Sequence, residues 1–125
     1  MKKELVSILR TFNFPVYQQG SLNDTDIYPT AFFTYWNTQT EDLSFYDDLN
    51  HRCVWMFTVY FYCTNEELTN TILLEAKQKL LDAGWEVEGK GYDVPSDEKT
   101  HTGRAIDVLY IEQEDYNEHS SSENL

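Results

Sequence analysis

At 125 residues the chain is long enough for one core and too short for two, and a hydrophobic content of 41% is ordinary globular usage, which excludes wholesale disorder. No apolar run approaches the roughly 18 residues that cross a membrane as a helix. A formal net charge of −13, with 22 acidic residues against nine Lys and Arg, excludes the clustered bases that nucleic acid or an anionic membrane surface demands.

In chain order, Lys2 to Phe12 places Leu5, Ile8, Leu9 and Phe12 at helical spacing and predicts a short amphipathic helix. Its paired lysines followed by apolar residues have the outline of a signal peptide. Glu4 and Arg10 interrupt the apolar stretch, however, and no small-residue cleavage site follows, so the expectation is a protein that stays in the cytoplasm. Pro15 ends the helix, and Phe14-Pro15-Val16-Tyr17 reads as an extended segment. Gln18 to Asp26 is a loop, and Tyr28-Pro29 leads into TAFFTYWNTQT, which has strand composition.

Glu41 to Asn50, EDLSFYDDLN, is acidic and lies between two strong strands, which makes it the tip of a long antiparallel hairpin. Its Leu43, Phe45, Tyr46 and Leu49 are hard to bury in the parent core. They either fold over a neighbour or pack back on their own sheet. From Arg10 to Arg52 no base intervenes, whereas Asp24, Asp26, Glu41, Asp42, Asp47 and Asp48 all fall there.

The next strand, about Asn50 to Cys63, carries Cys53, Trp55, Phe57, Val59, Phe61 and Cys63 on one face, and Val54, Met56, Thr58, Tyr60 and Tyr62 on the other. A half-exposed antiparallel strand alternates apolar with polar. This one does not, so both of its faces are expected to be covered over part of their length. The two cysteines sit ten residues apart along it, about 33 Å at strand rise, too far for a disulfide, and are read as buried thiols.

Thr64-Asn65-Glu66-Glu67 fits a capping box with Thr64 as cap. The helix it opens runs to Ala83, with Leu68, Ile72, Ala76 and Leu80 as its stripe, Leu73 and Ala83 flanking it, and Gly84 just past the end. Trp85 to Lys90 alternates like a half-buried strand, Asp93 to Thr102 is a polar loop, and Gly103 to Gln113 is the last strand, with Ile106, Val108 and Tyr110 on one face. The expected fold is α+β: a mostly antiparallel sheet with a short N-terminal helix and one longer helix packed on one face, in the order α-β-β-β-α-β-β. Residues 1–113 form the single domain and residues 114–125 an acidic, Ser-rich disordered tail.

Chemistry is sparse. None of His51, His101 and His119 has a nucleophile or metal partner at a meaningful spacing, and His101 reads as a solvated loop histidine. His51 and Cys53 share a strand face, with no third group to orient them. Glu41-Asp42 and Asp47-Asp48 offer oxygen ligands but no calcium-loop pattern, and the glycines form no phosphate cradle. No catalytic, cofactor-binding or metal residue is therefore assigned. A ligand pocket lined by Tyr60, Tyr62 and Trp36 is the weakest reading, since it lacks evident polar groups to orient a ligand.

The FPVY segment at Phe14, the YPTAFFTYW strand at Tyr28, the long acidic loop, the second aromatic strand, the capped helix ending in Gly84-Trp85 and the closing GRAIDVLYIEQ hairpin together resemble the tail-terminator or tail-completion proteins of long-tailed bacteriophages and prophages, over about residues 1–113. The resemblance implies a non-enzymatic virion protein. Its subunits form a ring, commonly a hexamer, that ends the tail tube and joins it to the head connector, after assembly in the host bacterial cytoplasm. It brings no cofactor, and the partners it implies are copies of the chain, tail-tube protein and head-connector protein. On that reading the second greasy face of the central strand packs on a neighbour, with Leu43, Phe45, Tyr46, Trp55, Phe57, Tyr60 and Tyr62 as the subunit interface. Glu41, Asp42, Asp47 and Asp48, within the base-free span, form an acidic lumen or partner face that repels passing DNA. The rival reading, from charge alone, is a small acidic phage inhibitor or DNA mimic that binds a basic host protein. The plainest account of the acidity is solubility.

Overall fold

A computed structural model describes residues 1–21, 28–44 and 50–115. The elements run α1 (Lys2–Arg10), β1 (Val16–Gln18), β2 (Ala31–Ser44), β3 (Asn50–Cys63), α2 (Glu66–Asp82), β4 (Glu86–Val94) and β5 (Thr102–Asp115), the order expected from the sequence.

The expected class needs correction. This is a mostly-sheet fold, with strand residues outnumbering helical ones about two to one, and its single five-stranded sheet is mixed. The sheet order is β1-β2-β3-β5-β4. β1 runs parallel to β2, pairing Val16 with Phe33 and Gln18 with Tyr35, while the other three pairings are antiparallel. The parallel pairing arises because the chain leaves α1 through Asn13, which adopts a left-handed φ of 65°, passes Pro15, and then must travel from Gln18 back to Ala31 before β2 can begin. A three-residue strand carries too little periodicity to reveal either its existence or its direction.

Both helices lie on one face of the sheet. Leu5 and Leu9 of α1, and Leu73, Ala76 and Leu80 of α2, pack with Ala31, Phe33, Phe57, Val59, Phe61, Cys63, Ile106 and Val108 from the strands. Full burial of each large apolar side chain contributes about 1.5–3 kcal/mol before entropy is counted. Trp85 seals the lower margin, its ring 5.9 Å from Phe57 and 5.3 Å from Tyr110. Lys79 joins the two helices, donating to the Thr11 hydroxyl at 2.7 Å with its ammonium 4.4 Å from the Phe12 ring centre. Cys53 and Cys63 are free and buried.

The cap of α2 is Asn65 rather than Thr64: its side chain accepts from the Leu68 amide at 3.1 Å. The buried stripe also differs from the expected one. Thr69, Leu73, Ala76 and Leu80 face the sheet, and Leu68 and Ala83 are exposed. Thr69 is a polar residue in that stripe because its hydroxyl is satisfied, donating to the Asn65 carbonyl at 2.9 Å and bonding the Thr102 hydroxyl, also at 2.9 Å. At the other end of the molecule the hairpin is longer than the sequence suggested. β2 remains paired through Asp42 opposite Cys53 and Ser44 opposite His51, so Glu41 and Asp42 belong to a strand and not to a loop. β5 likewise continues through Asp115, opposite Asn50. The expected tail of residues 114–125 thus loses residues 114 and 115 to β5, and its remainder, with the loop residues Phe45, Tyr46, Asp47, Asp48 and Leu49, lies outside the described residues.

Candidate functional site

The face of the sheet opposite the helices carries the candidate site. Strand alternation puts Phe32, Thr34 and Trp36 of β2, Val54, Met56, Thr58, Tyr60 and Tyr62 of β3, and Gly103, Ala105, Asp107, Leu109 and Ile111 of β5 on it. No helix covers it, yet Phe32, Thr34, Thr58, Tyr62 and Ala105 are buried. Among the described residues, side chains and loops cover one end of this face; at the other end Val54 is buried, and Trp36 and Ile111 are open.

At the closed end Phe32 stacks on Tyr62 with ring centres 5.2 Å apart, and Tyr62 stacks on Tyr60 at 6.2 Å. Tyr17, Tyr28 and His101 meet Phe32 edge-on at 6.0, 5.7 and 5.9 Å. His101, expected to be solvated, is instead pinned. Its Nε2 donates to the Pro29 carbonyl at 2.7 Å, which leaves Nδ1 to accept from the Thr100 hydroxyl at 3.0 Å. Gly103 lets Tyr62 lie flat: a Cβ there would meet the Tyr62 ring at 2.7 Å. Beside the stack is a cleft of about 370 Å³ with Tyr28, Phe32, Tyr60 and Tyr62 as its floor and Gln18, Gln19, Thr34 and Asp97 as its polar lining. Tyr60 and Tyr62 therefore do share a cleft, as the pocket reading supposed, but Trp36 is not part of it. Burial, with the Tyr60 phenol alongside, pushes the Tyr62 phenol above its ordinary value, against the opposing influence of a Gln19 hydrogen bond.

At the open end Trp36 is 48% exposed and Ile111 42%, and Met56 and Leu109 are half-buried between them. Met56 pairs with Leu109, and Leu109 with Glu86 in β4; in the next row Thr58 pairs with Asp107, and Asp107 with Glu88. A shallow groove of about 430 Å³ follows, with Thr38, Met56 and Leu109 as its floor and Glu86, Glu88 and Asp107 as its rim. Asp107 is held in place, accepting from the Thr58 hydroxyl at 2.7 Å and from the Tyr92 hydroxyl at 3.1 Å. That carboxylate and burial both raise the Tyr92 phenol, burial more. A bulge between Asn37 and Gln39 kinks β2 beside the groove, and the Asn37 amide ties it down by donating to the Met56 and Gln39 carbonyls at 2.9 and 3.2 Å.

The structure separates the expected interface residues. Phe57, only 1% exposed, is buried on the helix-covered face and cannot serve a neighbour; Trp55 lies on that face half-buried, where its indole donates to Glu112 at 3.2 Å. Tyr62, 9% exposed, is spent within its own chain, and Tyr60 lines the cleft. Leu43 lies on β2 opposite Arg52. Of the acidic set, Glu41 and Asp42 are exposed near the end of the hairpin. Met56 lies on the second face as expected, though it was not named among the interface residues; the residues the sequence reading missed are Leu109 and Ile111. Their signal was present: in AIDVLYI the apolar residues fall on both faces of β5, and only one face was assigned to the core.

Among the described residues no three His, Cys, Asp or Glu side chains gather to hold a metal ion, and no helix is long and apolar enough to cross a membrane. Comparison with protein-family models and with curated proteins finds no match to this chain.

Proposed function

We propose that this chain is a structural, non-enzymatic virion subunit that assembles in the host cytoplasm into a ring, terminates the tail of a long-tailed phage or prophage, and joins it to the head connector. The observation that carries the proposal is the open end of the second sheet face. Trp36, Met56, Leu109 and Ile111 lie on neighbouring positions of this face beside the exposed acids Glu41 and Asp42, and among the described residues nothing covers Trp36 and Ile111. A monomer gains by covering such a patch, and patches of this kind mark interaction surfaces. The element order, which is the order that underlies the resemblance, and the exposed Glu41 and Asp42 on a strand that presents no base between Arg10 and Arg52 add support.

The test is the mass of the purified chain by light scattering across a concentration series at low and high salt, with electron microscopy of the same samples. Annular particles near six copies that survive high salt, and that bind the ends of tail tubes, are the expected result. A chain that remains monomeric at every concentration, with tail-tube protein present, overturns the proposal. If that monomer instead captures a basic host protein, with affinity falling steeply as salt rises, the inhibitor reading takes its place.

A further inference from the structure

The surface that meets the apolar groove is identified by charge. The chain has nine Lys and Arg in all, and three of them share one depression on α1, a helix whose one acid is Glu4. Lys2, Lys3 and Arg10 are exposed on α1, around a shallow depression whose floor is Val6 and Tyr35, and Lys79 lies beside the end of the helix. Among the described residues the one ion pair is Arg104 with Asp93 at 2.7 Å, so among them neither these α1 cations nor Glu86 and Glu88 on the groove rim have an oppositely charged partner.

The two surfaces also lie on opposite sides of the molecule. α1 sits over the β1 end of the sheet on the helical face; the groove spans β3, β5 and the edge strand β4 on the other face. Two grooves cannot pair with each other by a twofold axis without setting Glu86, Glu88 and Asp107 against their own images. Two α1 surfaces meet the same obstacle with the opposite sign. The charges therefore favour a heterologous contact, and repetition of such a contact gives a closed ring or a filament.

Building on the ring reading, we infer that successive copies join head to tail, with the basic outer face of α1 in one copy seated on the acid-rimmed groove of the next. Trp36, Met56 and Leu109 supply the apolar centre of the contact, and the α1 cations against Glu86 and Glu88 set its register and choice of partner.

The test uses two full-length variants. One reverses α1, K2E/K3E/R10E, and the other reverses the rim, E86K/E88K. All five positions are exposed; acids at 2 and 3 suit the first turn of α1, and the one at 10 opposes the dipole by less than about 1 kcal/mol, so both variants should fold, which circular dichroism and melting will verify. Each variant alone should associate at least tenfold more weakly than the wild type at moderate salt. An equimolar mixture should recover the wild-type mass, because the acidic α1 of one then meets the basic rim of the other and the reverse contact also matches. A wild type that assembles while both variants retain its mass overturns the head-to-tail pairing and leaves the ring standing; so does a mixture of folded variants that stays dissociated. A wild type that never assembles overturns the ring reading and the pairing with it.

Discussion

The two faces of β3 begin with the same aromatic texture and end differently. Trp55, Phe57, Val59 and Phe61 are closed off by two helices and need nothing further. Tyr62 and Thr58, on the opposite face, are buried by rings, a pinned histidine and neighbouring strands; beyond them Met56 is half-buried and, although Val54 is buried, Trp36 and Ile111 are exposed. Burial on the first face is a property of layered secondary structure; on the second it depends on a few individual side chains. The first face should therefore respond to substitution through stability, and the open part of the second through association.

The sharpest contrast comes from Phe57→Ala. It empties the centre of the helical face and should cost about 3–5 kcal/mol in urea or thermal melts, a large fraction of the roughly 5–15 kcal/mol that holds a domain together. Next is Gly103→Ala, which probes the closed end of the second face. The added methyl meets the Tyr62 ring at 2.7 Å and the Val94 side chain at 2.9 Å, so a loss of about 1–3 kcal/mol is expected by the same measurement. A neutral result would mean that the aromatic stack is free to shift, and the contrast between ordered and open ends would weaken.

Asn65→Ala removes the cap of α2 and should cost about 1 kcal/mol, whereas Thr64→Ala should be close to neutral if the cap is where the Leu68 amide places it. A smaller effect follows from Tyr62. Its folded phenol titrates above the ordinary 10.0, so its contribution to stability is complete below pH 10 and declines as pH rises from 10 toward the folded value, because the unfolded chain then releases its proton first. Melting temperature followed from pH 9 upward should fall, and the fall should be shallower in Tyr62→Phe. The smallest effect on stability is expected at the open end: Trp36→Ser should change it by less than about 0.5 kcal/mol. The same variant should lower the mass measured by light scattering, and a loss of stability without a change in mass would reverse the distinction between the two ends.

Legibility in the sequence follows the same division. The double-sided apolar pattern of β3 was readable because strand alternation assigns every residue to a face, and α2 was readable from its period. The α2 cap was misplaced by one residue because Thr64 and Asn65 are both competent caps, and the glutamate three residues past Thr64 favoured the wrong one. β1 was read as extended but given no partner, since parallel pairing across a long connection leaves no local trace. The boundary between the closed and open ends was not readable at all. It depends on Tyr28 and His101, which lie more than seventy residues apart in sequence and meet only once the sheet has formed.

The place of β5 has a consequence for biosynthesis. The last strand among the described residues is not an edge strand: it lies between β3 and β4 and pairs with β3 along its full length. While residues 102–115 are still inside the ribosome, β3 has an unpaired flank lined with Trp55, Phe57, Val59 and Phe61, and β4 has no strand to join. The sheet therefore cannot close until residues 102–115 have emerged. A nascent chain stopped before Thr102 would present a sticky, incomplete sheet to chaperones and proteases, so fragments of this protein should be cleared and not accumulate.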